Sequence, residues 1–182
     1  MEVMDAIKSR RSVRKYTTDT VSDGDIETVL DAARWAPSWA NTQCVRWIVV
    51  RDADMRMKLA DTLPHGNPAN DAIRTVPVVF VACAETGRAG FKKGEEVTDK
   101  GDWYMYDVAS AAHSLTLAAH ALGLGTVHVG LFDAVKAGEI VGVPENVRVV
   151  ELIPMGRPAE QPHGPGRKEL GELVFRDRYG QQ

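Results

Sequence analysis

Asp102-Trp-Tyr-Met-Tyr-Asp-Val-Ala-Ser-Ala-Ala-His-Ser-Leu-Thr-Leu-Ala-Ala-His-Ala-Leu-Gly-Leu-Gly-Thr126 is the stretch whose reading decides the fold. Val108, Ala109, Ala112, Leu115, Ala119 and Leu122 recur at three- and four-residue steps, the period of a helix. Ala111, Ala118 and Ala121 make much of the remaining circumference small and apolar too. A helix apolar nearly all round is expected to be buried nearly all round. At about 1.5 Å per residue, some twenty residues span roughly 30 Å, the width of a small domain. Two readings follow: a central core helix, or a core helix whose alanine-rich face meets the same helix of a second copy. Gly123 and Gly125 stop it, and Val127-His128-Val129-Gly130 reads as a short strand leaving its end.

Outward from this helix, the 182 residues are 44% hydrophobic and 26% charged, which suits one globular domain over 1–182. A net charge of −3 gives no bulk electrostatic case for nucleic acid or an anionic membrane. The start, Met-Glu-Val-Met-Asp5, lacks the basic-then-apolar layout of a secretion signal. Asp107, Ser110, His113, Ser114, Thr116 and His120 interrupt the long helix too often for a bilayer span. Cys44 and Cys83 suit reduced, buried thiols better than a disulfide framework. A cytoplasmic protein is the expectation.

Residues 2–9 read as a short helix running into Arg10-Arg-Ser-Val-Arg-Lys-Tyr16, the densest basic cluster. Ser22 caps a second helix, with Ile26, Val29, Leu30 and Ala33 as its apolar face and Pro37 at its end. Ala36-Pro-Ser-Trp-Ala-Asn-Thr-Gln43 is a loop rich in specific groups, and Val45–Val50 a strand. Asp52 caps a third helix, and a loop from Pro64 to Asn70 precedes a single helical turn. Val76–Cys83 is a fully apolar strand, expected inside a sheet, with Pro77 at its entry. Thr86–Gly101, with four glycines among charges, reads as a mobile excursion or lid. Asp133 caps a helix ended by Gly142, Val147–Pro154 is a strand, Met155–Pro158 a turn, and Ala159–Gly166 a Pro/Gly-rich arm. Four strand-like runs among five or six helices predict an α+β or α/β sandwich with helices covering a sheet.

The chain has no G-x-S-x-G elbow, no P-loop and no zinc-type Cys/His spacing, so no metal is expected. His113 and His120, seven residues apart on one helix, lie roughly 10 Å apart by helical rise and cannot share a metal. If the chain is an enzyme, a cofactor is then expected to carry the chemistry. Arg10 and Arg14 share a face if the first helix persists, with Ser12 between them. Two guanidinium forks and a hydroxyl suit a phosphate or a carbonyl edge; a solvated surface patch is the plain alternative. Trp39, Asn41 and Gln43 add an aromatic wall and two amides of the kind a planar heterocycle requires.

In order and spacing, R-R-S-V-R-K-Y, the capped helix into A-P-S-W-A-N-T-Q, the tryptophan-bearing strand, the D-x-x-x-A-A-x-x-L-x-L-A-A-x-x-L-G-L-G-T helix, V-x-V-G, and M-G-R-P before a basic pair resemble the FMN-dependent nitroreductase family over nearly the whole chain. The resemblance implies an α+β three-layer sandwich: a central, mostly antiparallel sheet flanked by helices, the long helix at a dimer interface and a C-terminal arm reaching the partner. It implies a homodimer with two interfacial FMN sites, NADH or NADPH as donor, and a flat acceptor such as a nitroaromatic or quinone reduced in a ping-pong cycle. No side chain is assigned as catalytic.

Carried over by position, Arg10, Ser12, Arg167 and Lys168 would hold the phosphate with Arg11 contributing, and Arg14 would face the pyrimidine edge. Pro37, Ser38, Trp39 and Asn41 would come from the partner. Val127, His128, Val129 and Gly130 would lie against the ring, a backbone N–H directed at N5. Trp39 and Trp103 are substrate-side candidates, with Phe91 and Tyr104 in the same excursion. Either Asn67 or Asn70 could touch the pyrimidine. Cys44 stands where relatives commonly have proline, and His128 where they are often acidic or apolar. A flavin-binding sensor or carrier without turnover is the alternative. A nucleic-acid binder using Arg10–Lys15 conflicts with the acidic balance.

Overall fold

The computed structural model describes residues 1–181; Gln182, the end of the expected domain, lies outside the described residues. Its helices are α1 (Val3–Ser9), α2 (Asp23–Arg34), α3 (Ala53–Ala60), α4 (Asn70–Thr75), α5 (Tyr104–Ala121), α6 (Ala134–Val141) and α7 (Leu170–Leu173). The strands are β1 (Val45–Val50), β2 (Val78–Glu85), β3 (Phe91–Lys92), β4 (Glu95–Glu96), β5 (Gly125–Thr126) and β6 (Val147–Gly156). Caps set several of these ends. Ser22 Oγ accepts from the Asp25 N–H at 3.0 Å, and Asp52 and Asp133 carboxylates accept from Met55 and Lys136 N–H groups at 2.8 and 3.0 Å. Gly142 closes α6 with φ of 71°, a left-handed conformation that favours glycine.

The main sheet has the order β1-β2-β6-β5, and every ladder in it is antiparallel. This settles the open choice in favour of α+β. β2 is buried on both faces, and alternation divides its side chains between two layers. Val79, Val81 and Cys83 pack with Leu59, Ile73, Ala137 and Leu152 beneath α3, α4 and α6. Val78 and Phe80 face α2 and α5 with Val29, Ala112, Leu115 and Ile153. Phe80, Leu115 and Leu152 are completely buried, and each such side chain contributes about 1.5–3 kcal/mol through burial. No helix among the described residues is long and apolar enough to cross a membrane.

Several sequence expectations are corrected. α5 is not buried all round: Val108, Ala111, Ala112, Leu115 and Ala119 face the sheet, whereas Met105, Tyr106, Ala109 and His113 are exposed. Apolar composition cannot distinguish a helix surrounded by its own chain from one left open on one side. Strand β5 is Gly125–Thr126, one step before the expected Val127–Gly130. Pro77 lies outside β2, and β6 continues through Met155 and Gly156, where a turn was expected. Thr86–Gly101 contains the β3–β4 hairpin, and residues 170–173 form a turn of helix.

Candidate functional site

The basic cluster begins where α1 stops. Arg10 has φ −56° and ψ 132°, so the helix ends at Ser9 and the helical relation expected between Arg10 and Arg14 does not exist. The following residues are instead held by isolated bridges, Ser12 to Thr126 and Tyr16 to Pro158, with the Val13 N–H donating to the Thr126 carbonyl at 2.9 Å. Gly125 permits this approach: a Cβ there would lie 2.8 Å from the Val13 side chain.

Arg10 is half-buried, and its Nη1 is buried with no hydrogen-bond partner among the described residues. Burial, and then the Arg11 and Arg167 guanidinium groups, push its pKa down. Three cations from the two ends of the chain thus share one field, and among the described residues no carboxylate pairs with Arg10, an arrangement that an anion relieves. Arg11 turns its Nη1 to the Lys8 and Arg10 carbonyls at 2.7 and 2.9 Å, and Arg167 donates to the Pro165 carbonyl at 2.9 Å. Lys168 is exposed. Arg10 and Arg11 line a cleft of about 900 Å³ whose other walls are Gly123–Thr126, His120 and the start of the C-terminal arm. His120 Nε2 is 2.7 Å from Ser9 Oγ. Burial first, then Arg10, lowers the pKa of both His113 and His120, with further contributions from His128 and Arg11 respectively.

Glu160 was not singled out from the sequence. Its carboxylate accepts from the Arg14 and Lys15 N–H groups at 2.8 and 3.2 Å, tying the arm to its own chain. Arg14 is exposed, and its Nη1 donates to the Ser12 carbonyl at 3.4 Å. Tyr16, its pKa raised chiefly by burial, donates to the Val13 carbonyl at 2.6 Å. A glutamate in a Pro/Gly-rich segment carries no pattern that would announce these bonds.

Pro37, Ser38, Trp39 and Asn41 occupy a second region. Trp39–Asn41 forms one turn of 3-10 helix, and Ala40, Asn41 and Gln43 have φ of 46°, 56° and 49°. Each non-glycine residue in that region costs about 1–2 kcal/mol, so surrounding bonds must hold the turn. Ser38 Oγ accepts from the Gln43 N–H at 3.0 Å, and Gln43 donates to Asn41 Oδ1 at 3.2 Å. The carboxylate of Asp107, only 1% exposed, accepts from the Trp39 N–H at 2.9 Å. Pro37 and Ser38 line a second cleft of about 340 Å³, which shares no lining residue with the first. Among the described residues the arginines and this loop thus line separate clefts.

Val127 and Val129 are buried, and Val129 exchanges two 3.0 Å backbone bonds with Leu152. His128 is exposed between them, its Nδ1 2.7 Å from Glu151, and Gly130 is exposed. Asn70 is committed to joining α3 and α4, donating to the Ala60 carbonyl at 2.9 Å and accepting from Arg74 at 2.7 Å. Asn67 donates to Leu131, beside the Val127–Gly130 segment, at 3.3 Å. Trp103 is half-buried against Cys44, Ala82 and Val108, edge-on to Tyr106, with its indole N–H given to Thr98 at 2.9 Å. It pins the excursion to the body of the fold.

The nitroreductase family model matches residues 7–157. A protein of Methanothermobacter thermautotrophicus, provisionally named NADH dehydrogenase/NAD(P)H nitroreductase, is 36% identical over 174 residues, covering 93% of this chain and 83% of the relative. The FMN reductase [NAD(P)H] of Bacillus subtilis is 29% identical, covering 88% and 67%. Among solved structures, a nitroreductase family protein of Clostridium difficile superposes with a TM-score of 0.84 at 26% identity, covering 98% of this chain and 99% of that one. The NADPH:FMN oxidoreductase of Vibrio harveyi, complexed with NAD+, gives 0.83 at 26% identity, covering 98% and 78%. With the antiparallel sheet, the long α5 and the arginine-lined cleft in place, the chain belongs to the nitroreductase family.

Proposed function

We propose that this protein is an NAD(P)H-dependent FMN oxidoreductase that reduces flat acceptors such as nitroaromatics or quinones, working as a homodimer with the cofactor held between subunits. The observation that carries the reading is Arg10: a guanidinium nitrogen buried with no partner among the described residues, crowded by Arg11 and Arg167 at the wall of a cleft of about 900 Å³. The donor set fits a phosphate dianion, which matches guanidinium forks and offsets their mutual repulsion. FMN therefore fits the residues present.

Arg10, Arg11, Ser12, Arg167 and Lys168 would hold the phosphate end. Arg14 would lie along the pyrimidine edge, where a fixed cation favours negative charge gathering on that side of the ring. The Val127–Gly130 segment, anchored by the Val129–Leu152 bonds, would offer a backbone N–H to the ring, and the bond from Asn67 to the Leu131 carbonyl favours Asn67 of the two asparagine candidates. When bound, FMN supplies a ring that takes up and gives back a hydride. The protein's part is to orient that ring, keep one face open to alternating donor and acceptor, and exclude water from the other.

The dimer is supported by what one chain leaves open. The arginine cleft and the Trp39 loop share no wall, which supports a loop supplied by a second copy. Val3, Met4 and Ile7 of α1 are exposed, as are Met105 and Tyr106 of α5. The arm is retained by its own chain through Ala159, Glu160 and Gly164, but Leu170, Leu173, Val174 and Tyr179 of the following tail are exposed. A tail this apolar gains by crossing to a partner. In that arrangement Trp39 walls the acceptor side, and Trp103 acts through the hairpin it pins.

The test is the visible spectrum of the purified protein, followed by separate anaerobic additions of NADH and NADPH. A yellow protein bleached by either donor and restored by a quinone is expected. Colourless protein that refuses added FMN would overturn the reading, and bound flavin that neither donor bleaches would reduce it to a flavin-binding protein.

A further inference from the structure

Asp107 is a buried carboxylate that the proposed reaction does not use. It sits in the first turn of α5, and no cation pairs with it among the described residues. Burying an ionised carboxylate is costly unless donors converge on it, and here they come from one place. Oδ1 accepts from the Trp39 N–H at 2.9 Å, and Oδ2 is 3.4 Å from both the Thr42 hydroxyl and the Cys44 thiol. The three donors span both sides of the segment whose residues Ala40, Asn41 and Gln43 have positive φ. The cost of that conformation is local, and the Asp107 bonds that help offset it come from a helix distant in sequence. Cys44 completes the arrangement: its thiol is fully buried, and burial followed by the Asp107 carboxylate pushes its pKa up to about 12. It is therefore a hydrogen-bond donor to Asp107 and not a nucleophile.

We infer that Asp107 is the positioning residue of the Ser38–Gln43 turn: by accepting hydrogen bonds from Trp39, Thr42 and Cys44 it sets the direction in which Trp39 and Asn41 are presented to the cofactor and acceptor. The inference rests on the proposed function for what Trp39 and Asn41 meet, but not for the bond itself. The specificity of this family member for its acceptor is then controlled partly from α5, through a buried carboxylate that holds the turn.

The experiment compares wild type with Asp107→Asn, which keeps an acceptor at Oδ1, and Asp107→Leu, which is close in size and accepts nothing. Two quantities are read: hydrogen–deuterium exchange of the Trp39 amide, and the KM and kcat for a quinone acceptor. In Asp107→Leu the Trp39 amide is expected to exchange at least about tenfold faster, the scale of one lost hydrogen bond to a charged group. KM for the quinone is expected to rise about tenfold, with kcat changed by less than about twofold, because orientation of the acceptor and not hydride transfer is disturbed. Asp107→Asn should restore both. Should the leucine variant fail to fold, Asp107→Ser carries the same expectation, because its shorter side chain cannot span the contact and leaves room for water. A Trp39 amide as protected in the leucine or serine variant as in wild type overturns the inference, as does an asparagine variant that rescues neither quantity. The exchange measurement needs no flavin, so a protein that binds no FMN would end the proposed function while this test still decides the role of Asp107.

Discussion

Replacing Arg10 with methionine should separate two quantities that usually fall together. Methionine keeps an unbranched apolar stem like that of arginine but removes the charge and the unpartnered Nη1. In the flavin-free protein that nitrogen is a liability. A buried unsatisfied donor costs about 1–3 kcal/mol, and half-exposure of the residue reduces this to about 0–1 kcal/mol after solvent screening. Arg11 and Arg167 add repulsion that the substitution relieves. Stability without FMN is therefore expected to stay level or rise by up to about 1 kcal/mol. With a phosphate present the sign reverses. A hydrogen bond between charged groups contributes about 2 kcal/mol, or about 30-fold in affinity.

Thermal shift reads both effects at one protein concentration. At FMN about 100 times the wild-type Kd, binding adds about 2.7 kcal/mol, or about 5–11 °C for a chain of this size. The variant, about 30-fold weaker, would gain about 0.9 kcal/mol, or about 2–4 °C. A loss of more than about 2 kcal/mol in flavin-free stability in Arg10→Met would make Arg10 a structural ion and refute its role at the phosphate. An unchanged FMN increment would refute it as well.

Gly125→Ala places a methyl 2.8 Å from Val13 and should cost about 1–3 kcal/mol in urea denaturation; Val13→Ala in the same chain should recover most of it, and a fully additive pair would show that the two do not meet. His113 and His120 have lowered pKa values, so they add stability that is fully present above their unfolded value of about 6.5 and is lost as pH falls below it. Stability should therefore decline from about pH 6.5 downward, and Gln at both positions should flatten that decline in denaturant titrations at fixed salt; an unchanged slope would assign it to other groups. Deleting the residues after Gly171 removes Leu173, Val174 and Tyr179, the last 92% exposed in one chain. Light scattering should then show a weaker dimer and absorbance at 450 nm less flavin, and a truncated chain with full dimer mass and full flavin would refute the crossing tail.

Local patterns carried far in this chain. The period of Val108 to Ala119 placed the long helix, the Ser22, Asp52 and Asp133 caps placed three helix starts, and the apolar run of β2 marked the middle of the sheet, because capping and periodicity act over a few residues and are written in adjacent positions. The arginines and the Trp39 loop were legible as chemistry of a kind. What tertiary structure alone decided were the relations across sequence distance: antiparallel pairing, the end of α1 that removes the helical link between Arg10 and Arg14, and the open side of α5. Glu160 reaching Arg14, Arg167 entering the field of Arg10 and Asp107 holding the Trp39 turn belong with them. A carboxylate or guanidinium has the same local signature whether it faces water or another segment, and only the packing of distant elements selects which of them is left buried, crowded or without a partner.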